Sequence, residues 1–284
     1  MKIDGLTKTC GLIGNPVEHT LSPVIHNTLA EFTGKNLVYV PFRVQQNLTE
    51  AVQGAFALSV QGLNVTVPYK EQVMSALGSV DDLAVKIGAV NTLVRGEEGY
   101  TGYNTDMPGL YRAMQSDGVQ VNGADVIILG AGGVARAVAV MLYDKAAHIY
   151  ILNRTVEKAA LIAKEVNDYA DREVAVAMAL SEHDKLPDKK YVVIQATNVG
   201  MYPDTEKVVV EDAGFYAKVA IGYDLIYNPA RTLFMQKVEQ AGGKAYNGLK
   251  MLLYQGIIAY ELWNDCEIPD EMAEQVYARI KESL

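Results

Sequence analysis

One short run constrains this chain more than any other: Val126-Ile-Ile-Leu-Gly130-Ala131-Gly132-Gly133-Val134-Ala135-Arg-Ala. A β-branched apolar run breaks into closely spaced glycines and then into a helix-forming stretch. That order is strand, tight turn, helix. Gly130 allows the turn, Gly132 lets a ligand phosphate approach the backbone, and Ala135 lets helix and strand pack. The helix N-terminus then offers free N–H groups to an anion. In this setting the G-x-G-x-x-A pattern reads as a dinucleotide-binding turn, with a purely structural turn as the alternative.

The next strand-like run, HIYILN (148–153), ends in Asn153-Arg154-Thr155, with Lys158 following. Units that take NAD usually end this strand in Asp or Glu, which accepts from the ribose 2′-hydroxyl. Here no acid stands there and two cations do. A guanidinium grips a 2′-phosphate through paired charged hydrogen bonds, which favours NADP(H). The alternative is that Arg154 is an ordinary exposed residue at a helix start.

Elsewhere short apolar runs alternate with helical stretches. LVYVPF (37–42), LNVTV (63–67), YVVIQAT (191–197) and VAIGYDLIY (219–227) read as strands. Residues 134–146, 156–170 and 230–242 read as helices. The alternation predicts an α/β fold with parallel sheets. We place one domain at 1–105 and a second at 106–247, with helices from 248 to 284 as a tail. With a formal net charge of −9, the chain repels phosphate backbones, so no nucleic-acid partner is expected. The opening MKIDGLTKTC lacks the apolar run of a secretory leader, and no stretch is apolar enough to span a membrane. Two cysteines, Cys10 and Cys266, make no disulfide framework. A cytoplasmic setting is expected. The four histidines stand apart from other ligands, so no metal site is expected.

The N-terminal region puts polar residues where apolar ones would be expected. In Gly62-Leu-Asn64-Val-Thr66-Val-Pro68-Tyr-Lys70, Asn64 and Thr66 alternate with apolar neighbours and share one strand face. Pro68 ends the strand, and Lys70 follows at the edge where open α/β sheets gather ligands. A half-exposed strand with a surface lysine is the competing reading. Thr20 and Ser22 precede a helix start, and taken alone capping is the better reading for at least one of these hydroxyls. Asn91 and Asn104-Thr105-Asp106 follow further on.

Together NPVEHTLSPVIHN, GLNVTVPYK, GAVNTL, NTD, GAGGVARA, NRT, ATNVGM, YDLIY and GLKMLLYQG resemble the shikimate dehydrogenase family, in family order and over most of the chain. The resemblance implies an N-terminal α/β substrate domain, a Rossmann-type NADP-binding domain, and a tail from Gly248 that returns to the first. It implies reversible NADPH-dependent reduction of 3-dehydroshikimate to shikimate, in chorismate biosynthesis. By this resemblance Lys70 is the catalytic lysine and Asp106 its carboxylate partner. Thr20 and Ser22 hold the substrate carboxylate, with Tyr227 near the same group. Asn64, Thr66, Asn91 and Gln255 contact substrate hydroxyls. Gly130, Ala131, Gly132, Gly133 and Val134 form the pyrophosphate loop. Asn153, Arg154, Thr155 and Lys158 clamp the 2′-phosphate. Thr197, Leu225 and Gly248 touch the nicotinamide half. A homodimer is compatible with this reading.

Three positions depart from the family. Thr20 stands where serine is commoner, Met107-Pro108 follows Asp106 where glycine is usual, and Lys158 replaces a common arginine. None removes a reacting group. A quinate/shikimate dehydrogenase and a non-catalytic NADP(H)-binding regulator are the competing functions; a tetrahydrofolate-type dehydrogenase gives no reason for the hydroxyl-binding set.

Overall fold

The computed structural model describes residues 3–284. The chain divides into two compact units. One holds the chain up to Gly109 together with Leu252–Leu284, and the other is Leu110–Met251. The crossings therefore fall four residues beyond the expected 105 and 248. Each lies inside a continuous helix, so no turn or composition change marks it.

The first unit runs β1 (Lys8–Gly14), α1 (Ser22–Thr33), β2 (Leu37–Arg43), α2 (Leu48–Ala57), β3 (Gly62–Val65), β4 (Ser79–Val80), α3 (Asp82–Ile87), β5 (Thr92–Arg95) and β6 (Tyr100–Tyr103). Then α4 (Asp106–Ser116) carries the chain out. The sheet order is β2-β1-β3-β5-β6-β4. Its first three strands are parallel, but β5 pairs antiparallel with both β3 and β6. This sheet is mixed, where parallel sheets were expected. The hairpin between β5 and β6 closes through Gly96 N–H to the Gly99 carbonyl, 2.7 Å. Strand β3 is shorter than expected and stops at Val65, so Thr66 lies beyond the ladder.

The second unit continues with β7 (Asp125–Leu129), α5 (Gly133–Leu142), β8 (His148–Asn153), α6 (Val156–Ala170), β9 (Ala175–Ala179), β10 (Tyr191–Gln195), α7 (Ala213–Ala217), β11 (Val219–Asp224), α8 (Leu233–Gln240) and β12 (Lys244–Tyr246). All six strands are parallel, in the order β12-β11-β10-β7-β8-β9. Relabelled from β7, that order is 6-5-4-1-2-3, the doubly wound dinucleotide-binding topology. Ile127, Leu129, Val193, Phe215 and Phe234 form the core on one sheet face.

Helices α9 (Leu249–Asn264) and α10 (Asp270–Glu282) end the chain. Most of α9 belongs to the first unit, where Trp263 donates from Nε1 to the Leu93 carbonyl at 2.9 Å. Gly62 makes room for that indole: a Cβ there would stand 2.0 Å from Trp263 Nε1. The C-terminal helices thus return to the first unit.

Candidate active site

Lys70 Nζ donates to Asp106 Oδ2 at 2.6 Å, an ion pair within the first unit. Both backbones are fixed. The Lys70 carbonyl accepts from Val90 N–H at 2.8 Å, and Tyr69 before it donates its hydroxyl to the Val44 carbonyl at 2.6 Å. Asp106 is the first residue of α4, and Asn104 Oδ1 accepts from the N–H groups of Asp106 and Met107. A carboxylate in the first turn of a helix is favoured by the free N–H groups there. The lysine side chain is one-third exposed and the carboxylate 18% exposed, so the pair is reachable from solvent.

A buried polar seam lies beside β3 and β5. Asn91 Oδ1 accepts from Thr105 N–H at 2.7 Å and from the Thr92 and Thr105 hydroxyls. This ties Asn91 to the residue before Asp106. Asn64 is saturated by the protein itself. Its Nδ2 donates to the Asn91 carbonyl and Thr92 Oγ1, and its Oδ1 accepts from Tyr39 at 2.8 Å and faces His26 Nε2 at 3.1 Å. Since Nδ2 points at a carbonyl, the amide orientation is set, and His26 must carry its proton on Nε2. Burial of His26 lowers its pKa to about 3, so the ring is neutral.

Thr20 Oγ1 and Ser22 Oγ are 3.1 Å apart at the start of α1. Ser22 is the first residue of the helix. Leu21 is the N-cap residue and makes no side-chain cap, while Thr20 Oγ1 accepts from Ser22 N–H at 3.2 Å. Satisfying that first helix N–H accounts for the Thr20 oxygen, while the Ser22 hydroxyl accepts from Thr20 and takes no part in the cap. Thr66 packs its methyl where Gly14 leaves space at the end of β1. Gln255, on α9, is nearly buried and donates to the Leu252 carbonyl. It presses on α4: a Cβ on Gly109 would come within 2.6 Å of Gln255 N.

In the second unit the glycine turn follows β7, beside the reversal of strand order. Gly130 has φ +112°, and a Cβ there would stand 2.7 Å from Thr197 Cγ2. Only glycine suits that position. Gly132, Gly133 and Val134 are exposed, and nothing would meet a Cβ on either glycine. The turn and the first turn of α5 therefore leave open backbone for a pyrophosphate. Ala131, Gly132 and Gly133 line a cavity of about 310 Å³ with Arg136, Lys158, Leu161, Ile162 and Glu165.

At the end of β8, Asn153 Nδ2 donates to the Thr155 carbonyl and folds the turn, leaving Arg154 and Thr155 exposed. Arg154 borders a cavity of about 530 Å³ with Leu180, Ser181 and His183. A third cavity, about 610 Å³, is lined by Val134, Thr197, Met201, Leu225, Tyr227 and Met251 among others. Tyr227 thus shares a pocket with two residues of the expected nicotinamide set. Burial raises its phenol pKa. Gly248 lies behind that pocket: a Cβ there would stand 2.2 Å from the Leu225 carbonyl oxygen. Its part is to let the chain pass close under Leu225. These features fit a dinucleotide with a 2′-phosphate.

Two side chains of this region were not singled out in the sequence. Gln195 Oε1 accepts from Thr197 N–H and hydroxyl at 2.6 and 2.7 Å, while its Nε2 donates to the Val199 carbonyl and Asp224 Oδ1. Asp224, wholly buried, also accepts from Ile226 N–H and the Thr232 hydroxyl. The pair joins the loops after β10 and β11. The available signal was a polar residue closing each of two apolar strands.

Residues 12–93 match the family described as shikimate dehydrogenase substrate binding domain, and residues 112–212 match shikimate / quinate 5-dehydrogenase. A shikimate dehydrogenase (NADP(+)) from Desulforamulus reducens is 41% identical over 283 residues, covering 97% of this chain and 96% of its own. A solved shikimate dehydrogenase in complex with NADP+ superposes with TM-score 0.88 at 37% identity, covering 99% of this chain and 97% of its own. A shikimate 5-dehydrogenase from Listeria monocytogenes, in complex with shikimate and NAD, gives TM-score 0.89 at 31% identity, with 97% and 98% coverage. Together with the doubly wound unit and the Lys70–Asp106 pair, these likenesses lead to one conclusion: the chain belongs to the shikimate dehydrogenase family.

Proposed function

We propose that this chain is an NADP(H)-dependent shikimate dehydrogenase that interconverts 3-dehydroshikimate and shikimate on the chorismate route to aromatic amino acids, in the cytoplasm. The observation that carries the reading is the Lys70–Asp106 ion pair at 2.6 Å, set beside the Asn64–Asn91 seam in one unit. When bound, the nicotinamide supplies or accepts the hydride. Ketone reduction puts negative charge on the substrate oxygen, and the Lys70 ammonium stabilises it and donates the proton. In the other direction neutral Lys70 takes that proton back. Asp106 orients Lys70 and accepts from a substrate hydroxyl. Thr20 and Ser22 offer their paired hydroxyls to the substrate carboxylate, and Gln255, Thr66 and Asn91 hold ring hydroxyls. Asn64 works through its neighbours, because its four hydrogen-bonding positions are already filled by the protein.

Arg154, Thr155 and Lys158 hold the 2′-phosphate, and the Gly130–Val134 turn holds the pyrophosphate. The absorbance of reduced nicotinamide, followed with shikimate and NADP+, then with NAD+, then with quinate, tests the assignment. Turnover is expected with shikimate and NADP+. Faster turnover of quinate would move the chain to the quinate-preferring branch, and none with any pair would reduce it to a binding protein.

A further inference from the structure

Arg136 is not part of the expected cofactor set, yet it lines the same cavity as the glycine turn and Lys158. It sits in the first turn of α5, where its N–H donates to the Gly132 carbonyl at 2.9 Å. Its guanidinium binds Glu165 on α6 in the two-pronged manner, with Nε to Oε2 at 2.7 Å and Nη2 to Oε1. The Tyr169 hydroxyl donates to the same carboxylate at 2.9 Å.

Glu165 is the feature that needs an account. It is the one acid among the residues lining that cavity, and it stands on the face of α6 that carries Lys158, Leu161 and Ile162. Lys158 and Glu165 are seven residues apart, so two turns, or about 10 Å, separate them along the helix. A bare carboxylate there would repel a 2′-phosphate and compete with it for the Lys158 ammonium. Lys158 is exposed and makes no ion pair among the described residues. The guanidinium cancels the carboxylate's charge at contact distance, and holds the Glu165 pKa below the usual carboxylate range.

We propose that Arg136 is a specificity-determining residue: by neutralising Glu165 it keeps Lys158 available to the 2′-phosphate and so sets the preference for NADP(H) over NAD(H). The inference rests on the NADP(H) reading above. It goes further in assigning the preference to a pair outside the Asn153–Lys158 turn. The removed charge would act on a phosphate carrying nearly two negative charges, several ångströms away in a partly solvated cavity. The expected effect is roughly tenfold in affinity.

The test is calorimetric titration of the full-length protein with NADP+ and NAD+, and with adenosine 2′,5′-bisphosphate and AMP as fragments lacking the nicotinamide. Arg136→Met, Glu165→Gln and the double variant are compared with the unaltered protein, and circular dichroism checks that each is folded. Arg136→Met should weaken NADP+ and the bisphosphate about tenfold while leaving NAD+ and AMP within twofold. Adding Glu165→Gln should return the bisphosphate affinity to within about threefold of the starting value. Equal weakening of all four ligands would overturn the proposal and make Arg136 a structural or pyrophosphate residue. Failure of the double variant to recover, with Glu165→Gln alone folded and binding, would overturn it as well. If the unaltered protein itself shows no preference for NADP+, the cofactor reading fails, and the proposal with it; that result appears in a row of the experiment the variants do not touch.

Discussion

Asp106 Oδ2 and Lys70 Nζ are 2.6 Å apart, and the two residues reach each other from the first turn of α4 and from the loop after β3. Thirty-six positions separate them, and residues 89–91 bridge the gap: Val90 N–H donates to the Lys70 carbonyl, and Asn91 Oδ1 accepts from Thr105 beside Asp106. Lys70→Met removes the proposed proton donor and should lower kcat by about 10²- to 10⁴-fold in either direction of reaction. Asp106→Asn keeps an acceptor but loses the charge, and should cost roughly 10- to 100-fold in kcat/KM. Steady-state rates with shikimate and NADP+ decide both. Near-normal kcat in Lys70→Met would remove the catalytic assignment.

Gly109 and Gln255 make a second prediction. An alanine at Gly109 would gain about 1 kcal/mol in helix propensity. Its Cβ, however, would meet backbone and side-chain atoms of Gln255 at 2.6 to 2.9 Å, and backbone cannot swing away. Overpacking of this kind costs about 1–3 kcal/mol, so Gly109→Ala should destabilise. It should also raise KM for shikimate, because Gln255 is displaced. Urea denaturation and KM are measured on one preparation. A gain in stability would mean that the helix contact is looser than the geometry states.

The glycine turn, the turn at Asn153 and the helix 156–170 were legible because their geometry is local: a few neighbouring residues set the turn and the helical face. The parts that were not legible are pairings between distant segments. Tyr39 and His26 fill the acceptor of Asn64 from 25 and 38 residues away. Gln195 and Asp224 meet across two strands. Nothing in either neighbourhood marks these contacts beyond an isolated polar residue. The mixed first sheet was missed for a related reason, since strands of two to four residues such as β4, β5 and β6 are too short to show a period. Thr66 was read one residue pair too far along a strand. The alternation continues in sequence, but the ladder with β1 ends at Val65.

His26 predicts an acid weakness in the first unit. Its folded pKa of about 3 lies below the ordinary value of 6.5, because burial disfavours the imidazolium. The unfolded chain therefore binds the extra proton first. The stability held by neutral His26 is complete above pH 6.5 and is lost as pH falls toward 3. The slope from this group approaches about 1.4 kcal/mol per pH unit. His26→Gln keeps a donor for Asn64 and cannot ionise. Urea midpoints at pH 7 and pH 4.5 should show the unaltered protein losing roughly 2–3 kcal/mol more than the variant over that range. Parallel losses would show that His26 is not the titrating group.

Asp224 predicts the opposite sign in the second unit. Burial raises its carboxyl from the ordinary 3.8 to about 6, against the hydrogen bonds from Thr232 and Ile226 that pull it down. Here the folded state binds the proton first. The contribution is therefore fully present below pH 3.8 and is lost as pH rises through 6. The two-unit difference amounts to roughly 3 kcal/mol. Asp224→Asn keeps the acceptor oxygen for Ile226 and Gln195, and Thr232 can rotate its hydroxyl to accept from the new amide. The variant should therefore gain on the unaltered protein by roughly 3 kcal/mol as pH rises from 4 to 7. Because Asp224 and Gln195 together hold the Thr197 and Tyr227 loops, KM for NADP+ should stay within a fewfold in this variant. Thermal or urea unfolding at pH 4, 5.5 and 7 reads the stability term, and a constant difference between the two proteins across that range would show that the carboxylate does not titrate there.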